Sequence, residues 1–232
     1  TVENNILYGS PEYYVTSGRP LPPLWRMQGF ANSEKFKELV ERNKHVINYE
    51  TGSPPVYYFT AGMWYKLGEM LHFSDIELLY WVRFLNIPVF MAFIYISYRM
   101  AVRCFTDTYQ QIAVPLLVTF FPQDTFYTIN ADVFSPLLFA ILFLMLFRIY
   151  YEEMPLTYYL TAGLMASVCF LTKIANIASP LLLLIIIVMK IKKLNNEKRL
   201  SGFVPHLSLM AAAAALIVGL WGVHNYYTLG NF

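Results

Sequence analysis

The residues of this chain that could do chemistry stand at the edges of long apolar blocks: Glu50, Asp132, Lys173 and the pair Asn225–Tyr226. Glu50 lies in NYETGSPPVYY (48–58), where a polar stretch of roughly fifty residues gives way to apolar sequence. A carboxylate there could take a proton from a hydroxyl, or hold a divalent cation beside a phosphate; it could equally face water or cap a helix begun by Pro54 and Pro55. Asp132 opens ADVFSPLLFAILFLMLF. An acid at a helix start is favoured by free N–H groups and the macrodipole, so capping stands beside a catalytic reading. Asp124 is a weaker candidate in the same connection.

Lys173 separates LTAGLMASVCFLT from IANIASPLLLLIII. Its ammonium could neutralise a lipid phosphate or simply snorkel to water, and Asn176 could add a phosphate contact. His224, Asn225, Tyr226 and Tyr227 follow Trp221 at the end of the last apolar block, where an aromatic belt is the plain alternative. Arg83 could reach a phosphate or anchor its helix, and His45 reads as a surface histidine.

The elements that must position these residues are membrane helices. Hydrophobic residues make up 57% of the 232, charged ones 14%, and mean hydropathy is +0.44. A soluble domain carries about 25% charged residues. The composition therefore predicts an all-α, polytopic helical membrane protein. No basic stripe with interleaved aromatics points to nucleic acid.

About six spans are expected, near 78–103, 108–122, 132–150, 156–173, 175–192 and 205–223, the second interrupted by Pro115. The segment 56–73 is apolar but holds Lys66, Glu69 and His72, together with Tyr57, Tyr58, Trp64 and Tyr65. Lys66 at mid-bilayer would cost about 2.5–3.5 kcal/mol, so this segment reads as an interfacial amphipathic helix. The expected divisions are an outer segment 1–55, the interfacial helix 56–77 and a transmembrane region 78–232.

Alternate loops divide the basic residues. One set holds Arg99, Arg103, Arg148, Lys190, Lys192, Lys193, Lys198 and Arg199, whereas the other holds Lys173. The first set is expected on the cytoplasmic side, which puts residues 1–55 outside and implies a helix upstream of Thr1. The rival topology has 56–73 spanning and the N-terminal segment inside. Cys104 and Cys169 fall at opposite ends of spans, too far apart for a disulfide.

In serial order these segments resemble the GT-C superfamily of polyprenyl-phosphate-sugar-dependent glycosyltransferases, in the branch of protein O-mannosyltransferases and the lipid A aminoarabinose transferase. NYETGSPPVYYFTAGMW is similar to the acid-x-x-PPL-Y-Y segment that begins a horizontal helix of the first outer loop. RFLNIPVFMAFIYISYRMA, FFPQDTFYTINADVFSPLLFAILF, LTAGLMASVCFLTKIANIASPLLLL and WGVHNYYTLGNF are similar to the four pieces that follow it. The resemblance covers about residues 45–232.

What it implies is sugar transfer from a lipid phosphate to a hydroxyl of a protein or glycolipid acceptor, at the outer face of a bacterial inner membrane. Glu50 and Asp132 would match the family acids, with a divalent cation between them left open. Lys173 would match the T-K lysine, and Asn225 and Tyr226 the N-Y pair. Tyr57, Arg83 and Asn176 complete the expected substrate contacts. Two departures stand out: His224 replaces a usual Arg, and no match to the family's catalytic Asp of the first outer loop is found. Glu3 and Glu12 are the acids nearest that place. A catalytically silent GT-C-like subunit and a lipid-handling protein or transporter are the alternatives. Against a transporter, ionisable residues avoid the helix interiors.

Overall fold

The structure is a computed structural model that describes residues 34–43, 53–120 and 129–229. The chain divides into two compact units, Thr1–Thr51 and Gly52–Phe232. In the first, α1 (Glu34–Asn43) carries exposed Glu34, Lys37, Glu38, Glu41 and Arg42. Glu50, His45 and Asp124 lie outside the described residues.

In the second unit every described element is a helix: α2 (Pro55–Met70), α3 (Asp75–Phe84), α4 (Asn86–Cys104), α5 (Thr108–Thr119), α6 (Phe134–Tyr151), α7 (Leu156–Phe170), α8 (Ala178–Asn196) and α9 (Leu200–Leu229). Single 3-10 turns, Ala131–Val133 and Ile174–Ile177, lead into α6 and α8. The boundaries follow local chemistry. Pro55 starts α2 with a fixed φ. Ser74 and Glu77 form a capping box for α3, and the Asp107 carboxylate accepts from the Gln110 N–H at the start of α5.

Among the described residues, three helical stretches are long and apolar enough to cross a membrane: Glu77–Cys104, Ala131–Tyr151 and Leu200–Tyr227. The six expected spans thus reduce to three by this measure, for reasons of length and charge. At 1.5 Å per residue, the 12 residues of α5 reach about 18 Å, short of a ~30 Å hydrocarbon core. Helix α7 has 15 residues, and α8 carries Lys190, Lys192 and Lys193 near its end.

The core is a contiguous cluster of Leu142, Leu146, Ile149, Tyr159, Ala162, Ala166, Cys169 and Met210 with their neighbours. Helix α7 presents small residues to α9, so the two backbones approach closely. A Cβ on Gly163 would come within 2.2 Å of the Met210 carbonyl oxygen, and Ser167 Oγ donates to the Ala214 carbonyl at 2.9 Å. Outside this core the surface stays apolar. Leu181, Leu184, Ile185 and Val188 of α8, and Leu216, Leu220 and Val223 of α9, are all exposed. So much contiguous apolar surface suits lipid rather than water.

Helices α2 and α3 form a hairpin locked by two tryptophans. Trp64 and Trp81 stack at 4.6 Å with planes 5° apart. Each indole N–H donates to the other's carbonyl, Trp64 Nε1 at 2.8 Å and Trp81 Nε1 at 2.7 Å. Gly68 leaves room for Trp81, since a Cβ there would meet its ring at 2.5 Å. The outward side of α2 bears Phe59, Met63 and Met70 beside a Lys66–Glu69 ion pair, so its polar strip is narrow.

Candidate functional site

The site begins at the turn before α6. Asn130, rather than Asp132, caps it: Asn130 Oδ1 accepts from the Asp132 N–H at 3.2 Å, and Asn130 Nδ2 donates to Asp132 Oδ2 at 3.1 Å. That leaves Oδ1 of Asp132 for Lys173, whose Nζ donates to it. The two predicted outer residues therefore meet as an ion pair. Their side chains are 36% and 40% exposed, so the pair is open to its surroundings. A half-buried pair of this kind contributes about 0–1 kcal/mol to a fold.

Lys173 is held by the turn between α7 and α8. Its backbone is extended, its N–H donates to the Phe170 carbonyl at 3.2 Å, and its carbonyl accepts from the Asn176 N–H at 2.9 Å. Asn176 uses its side chain to hold the turn, donating from Nδ2 to the Cys169 carbonyl at 2.8 Å and to Ser135 Oγ at 3.0 Å. It thus ties the turn to the start of α6. The expectation of a phosphate contact at Asn176 competes with these two bonds.

The start of α2 docks on the same end. The Val56 N–H donates to the Leu171 carbonyl at 3.1 Å. Tyr57, 1% exposed, stands edge-on to Phe134 at 5.6 Å and to Tyr58 at 5.4 Å. Burial pushes its phenol up to about 12; the neighbouring Tyr58 adds to this and a backbone hydrogen bond at Asn130 opposes it. Tyr57 is therefore neutral at ordinary pH, buried against the start of α6 rather than presented at the surface.

Of the other predicted residues, Asn225 is buried and Tyr226 exposed, one turn beyond Trp221. Trp221 stands edge-on to Phe170 at 6.3 Å, which brings that part of α9 to the Lys173 end. Arg83 is exposed and lies over the Tyr80 ring at 5.8 Å, outside the Asp132–Lys173 pair.

The opposite end of the bundle gathers the basic residues that sequence reading used only as markers of sidedness. Arg103 and Arg148 both bind Glu152, and Arg199 binds Glu153 at 2.6 Å. Hydrogen bonds from Arg103 and then Arg148 hold the Glu152 carboxyl below the usual carboxylate range. Lys190 Nζ is turned inward and donates to the carbonyls of Tyr150 (3.2 Å) and Glu152 (3.4 Å), satisfying the C-terminus of α6.

Both Asp132 oxygens accept hydrogen bonds, and among the described residues no three His, Cys, Asp or Glu side chains gather; Glu50, the expected partner of Asp132 in a cation site, lies outside the described residues. Compared with known proteins, the chain matches no family model, no curated protein and no solved structure.

Proposed function

We propose that this chain is a GT-C-like membrane glycosyltransferase whose chemistry lies at the end of the bundle that carries Asp132 and Lys173. The observation that supports this reading is the half-buried Asp132–Lys173 pair, drawn from two separate turns at the end of the bundle on which the start of α2 docks. In this reading α3–α4, α6 and α9 span the bilayer of a bacterial inner membrane, with the shorter α5, α7 and α8 packed among them. Helix α2 lies in the interface, and the basic end faces the cytoplasm.

The reaction is displacement at an anomeric carbon. The acceptor oxygen forms the new bond to that carbon, the bond from carbon to the phosphate oxygen breaks, and the phosphate leaves with the electron pair. The acceptor proton passes to a carboxylate, Glu50 or Asp132. Lys173 swings from Asp132 to the departing phosphate, a positioned cation that gains most as charge develops there.

A non-catalytic GT-C-like subunit is the second reading, favoured by the fact that Asp132 is already hydrogen-bonded on both oxygens. One assay separates the two: transfer of labelled sugar from a polyprenyl-phosphate donor by the purified protein. Loss of a general base costs about 10²–10⁴ in rate. Glu50→Gln or Asp132→Asn is expected to fall in that range, and Lys173→Gln by about 10²–10³, with melting temperatures close to the parent. Activity unchanged by all three substitutions removes the site assignment, and no transfer by the parent favours the silent subunit.

A further inference from the structure

Between α6 and α8, toward the basic end, a groove of about 170 Å³ opens on the apolar flank of the bundle. Its walls include Phe143, Phe147 and Tyr150 on one helix and Leu182, Ile186 and Met189 on the other. On α8 those positions recur at helical spacing along one stripe, and the next position on that stripe is Lys193. The Lys193 Nζ sits 5.3 Å from the centre of the Tyr150 ring and donates to the Tyr150 carbonyl at 3.4 Å. An apolar channel thus ends on a cation placed against its last aromatic wall.

The charges around it are unevenly matched. Glu152 and Glu153 are taken by Arg103, Arg148 and Arg199. Lys190 and Lys193 have backbone carbonyls as their described hydrogen-bond partners, and neither forms an ion pair among the described residues. Glu153 and Glu197 still act on Lys190 through space, so the cation at this end with no carboxylate paired to it among the described residues is Lys193.

We propose that the groove holds one acyl chain of an anionic glycerophospholipid, with the lipid phosphate on Lys193. The apolar walls accept a hydrocarbon chain without stranding a polar group, and the ammonium answers the phosphate at the depth where headgroups begin. A second copy of the chain fits poorly, because a helix about 10–12 Å across is too wide for a crevice of this volume. The site lies at the other end of the bundle from Asp132 and Lys173, and does not depend on the glycosyl-transfer reading.

Native mass spectrometry of the purified full chain in detergent tests this, with phosphatidylglycerol and phosphatidylcholine of identical acyl chains titrated separately. Phosphatidylglycerol is expected to bind one per chain and several-fold tighter. Lys193→Gln should erase that preference, a loss of roughly fivefold for one basic contact, and weaken phosphatidylcholine, whose choline offsets its phosphate, much less. Lys193→Arg, which keeps the charge, should retain the preference, and Ile186→Trp, which fills the groove, should weaken both lipids. Equal affinity for the two lipids, or a preference that survives Lys193→Gln, overturns the proposal. So does a lipid-independent dimer that Ile186→Trp abolishes, since the occupant would then be a second copy.

Discussion

Asp132 and Lys173 stand 41 residues apart, and no local pattern joins them, yet the fold closes them into one pair. Each was visible in the sequence as a polar residue at the end of an apolar block. Their pairing was not, because it depends on how the turns before α6 and α8 meet in space. The split of duties at NAD (130–132) was closer to legible, since an Asn two positions before an Asp is a cap signal in its own right. Glu152 is the residue that sequence reading passed over. Its carboxyl lies below the ordinary 4.5 because Arg103 and Arg148 bind it. A depressed carboxylate contributes stability above the unfolded-state value and loses it as pH falls through the folded-state value. Thermal unfolding in detergent should therefore show the melting temperature dropping on acidification below about pH 4.5. Glu152→Gln should lower the melting temperature at neutral pH and flatten that drop, and an unchanged acid profile would contradict the assignment.

At the scale of elements, the sequence announced where helices start better than what they do. Pro55, the capping box at Ser74 and Glu77, and Asp107 are local signals, and local structure obeys them. Whether an apolar helix is long enough to cross a bilayer depends on where it stops. That was less legible for α5, which ends at Thr119, and for α7, which ends at Phe170. The Trp64–Trp81 lock between α2 and α3 was also hidden: Trp64 read as one aromatic of an interfacial helix, whereas the two indoles satisfy one another's backbone. The tightest approach, α7 on α9, rests on a missing side chain. Gly163→Leu must push Leu atoms into the Met210 backbone, for which nothing small can give way. It is expected to destabilise the fold by about 1–3 kcal/mol, read as a lower denaturation midpoint in detergent. Gly202→Leu, at a glycine with open space around it, is the matched control and should change little.

For the whole molecule, the distribution of charge along the chain anticipated a bundle with two chemically different ends. Eight basic residues in alternate loops implied that they share one side; in the fold, Arg103, Arg148, Lys190, Lys193 and Arg199 do gather around α6's C-terminus and the turn after it. Lys173 stands at the other end with Asp132, beside the docked start of α2. Segregation of this kind is set by composition over many residues, so it survives errors in any one boundary. The relation of Glu50 to this end was beyond sequence reading, since it depends on the path of a long polar segment rather than on any local pattern. If a lipid-phosphate sugar is handled at the Asp132–Lys173 end, photo-crosslinking the purified protein with a polyprenyl-phosphate probe carrying its reactive group beside the phosphate, followed by peptide mapping, will show it. Adducts are expected within 129–135 and 171–176 and should be lost on Lys173→Gln; adducts confined to 148–155 and 190–199, unchanged by that substitution, would overturn the assignment.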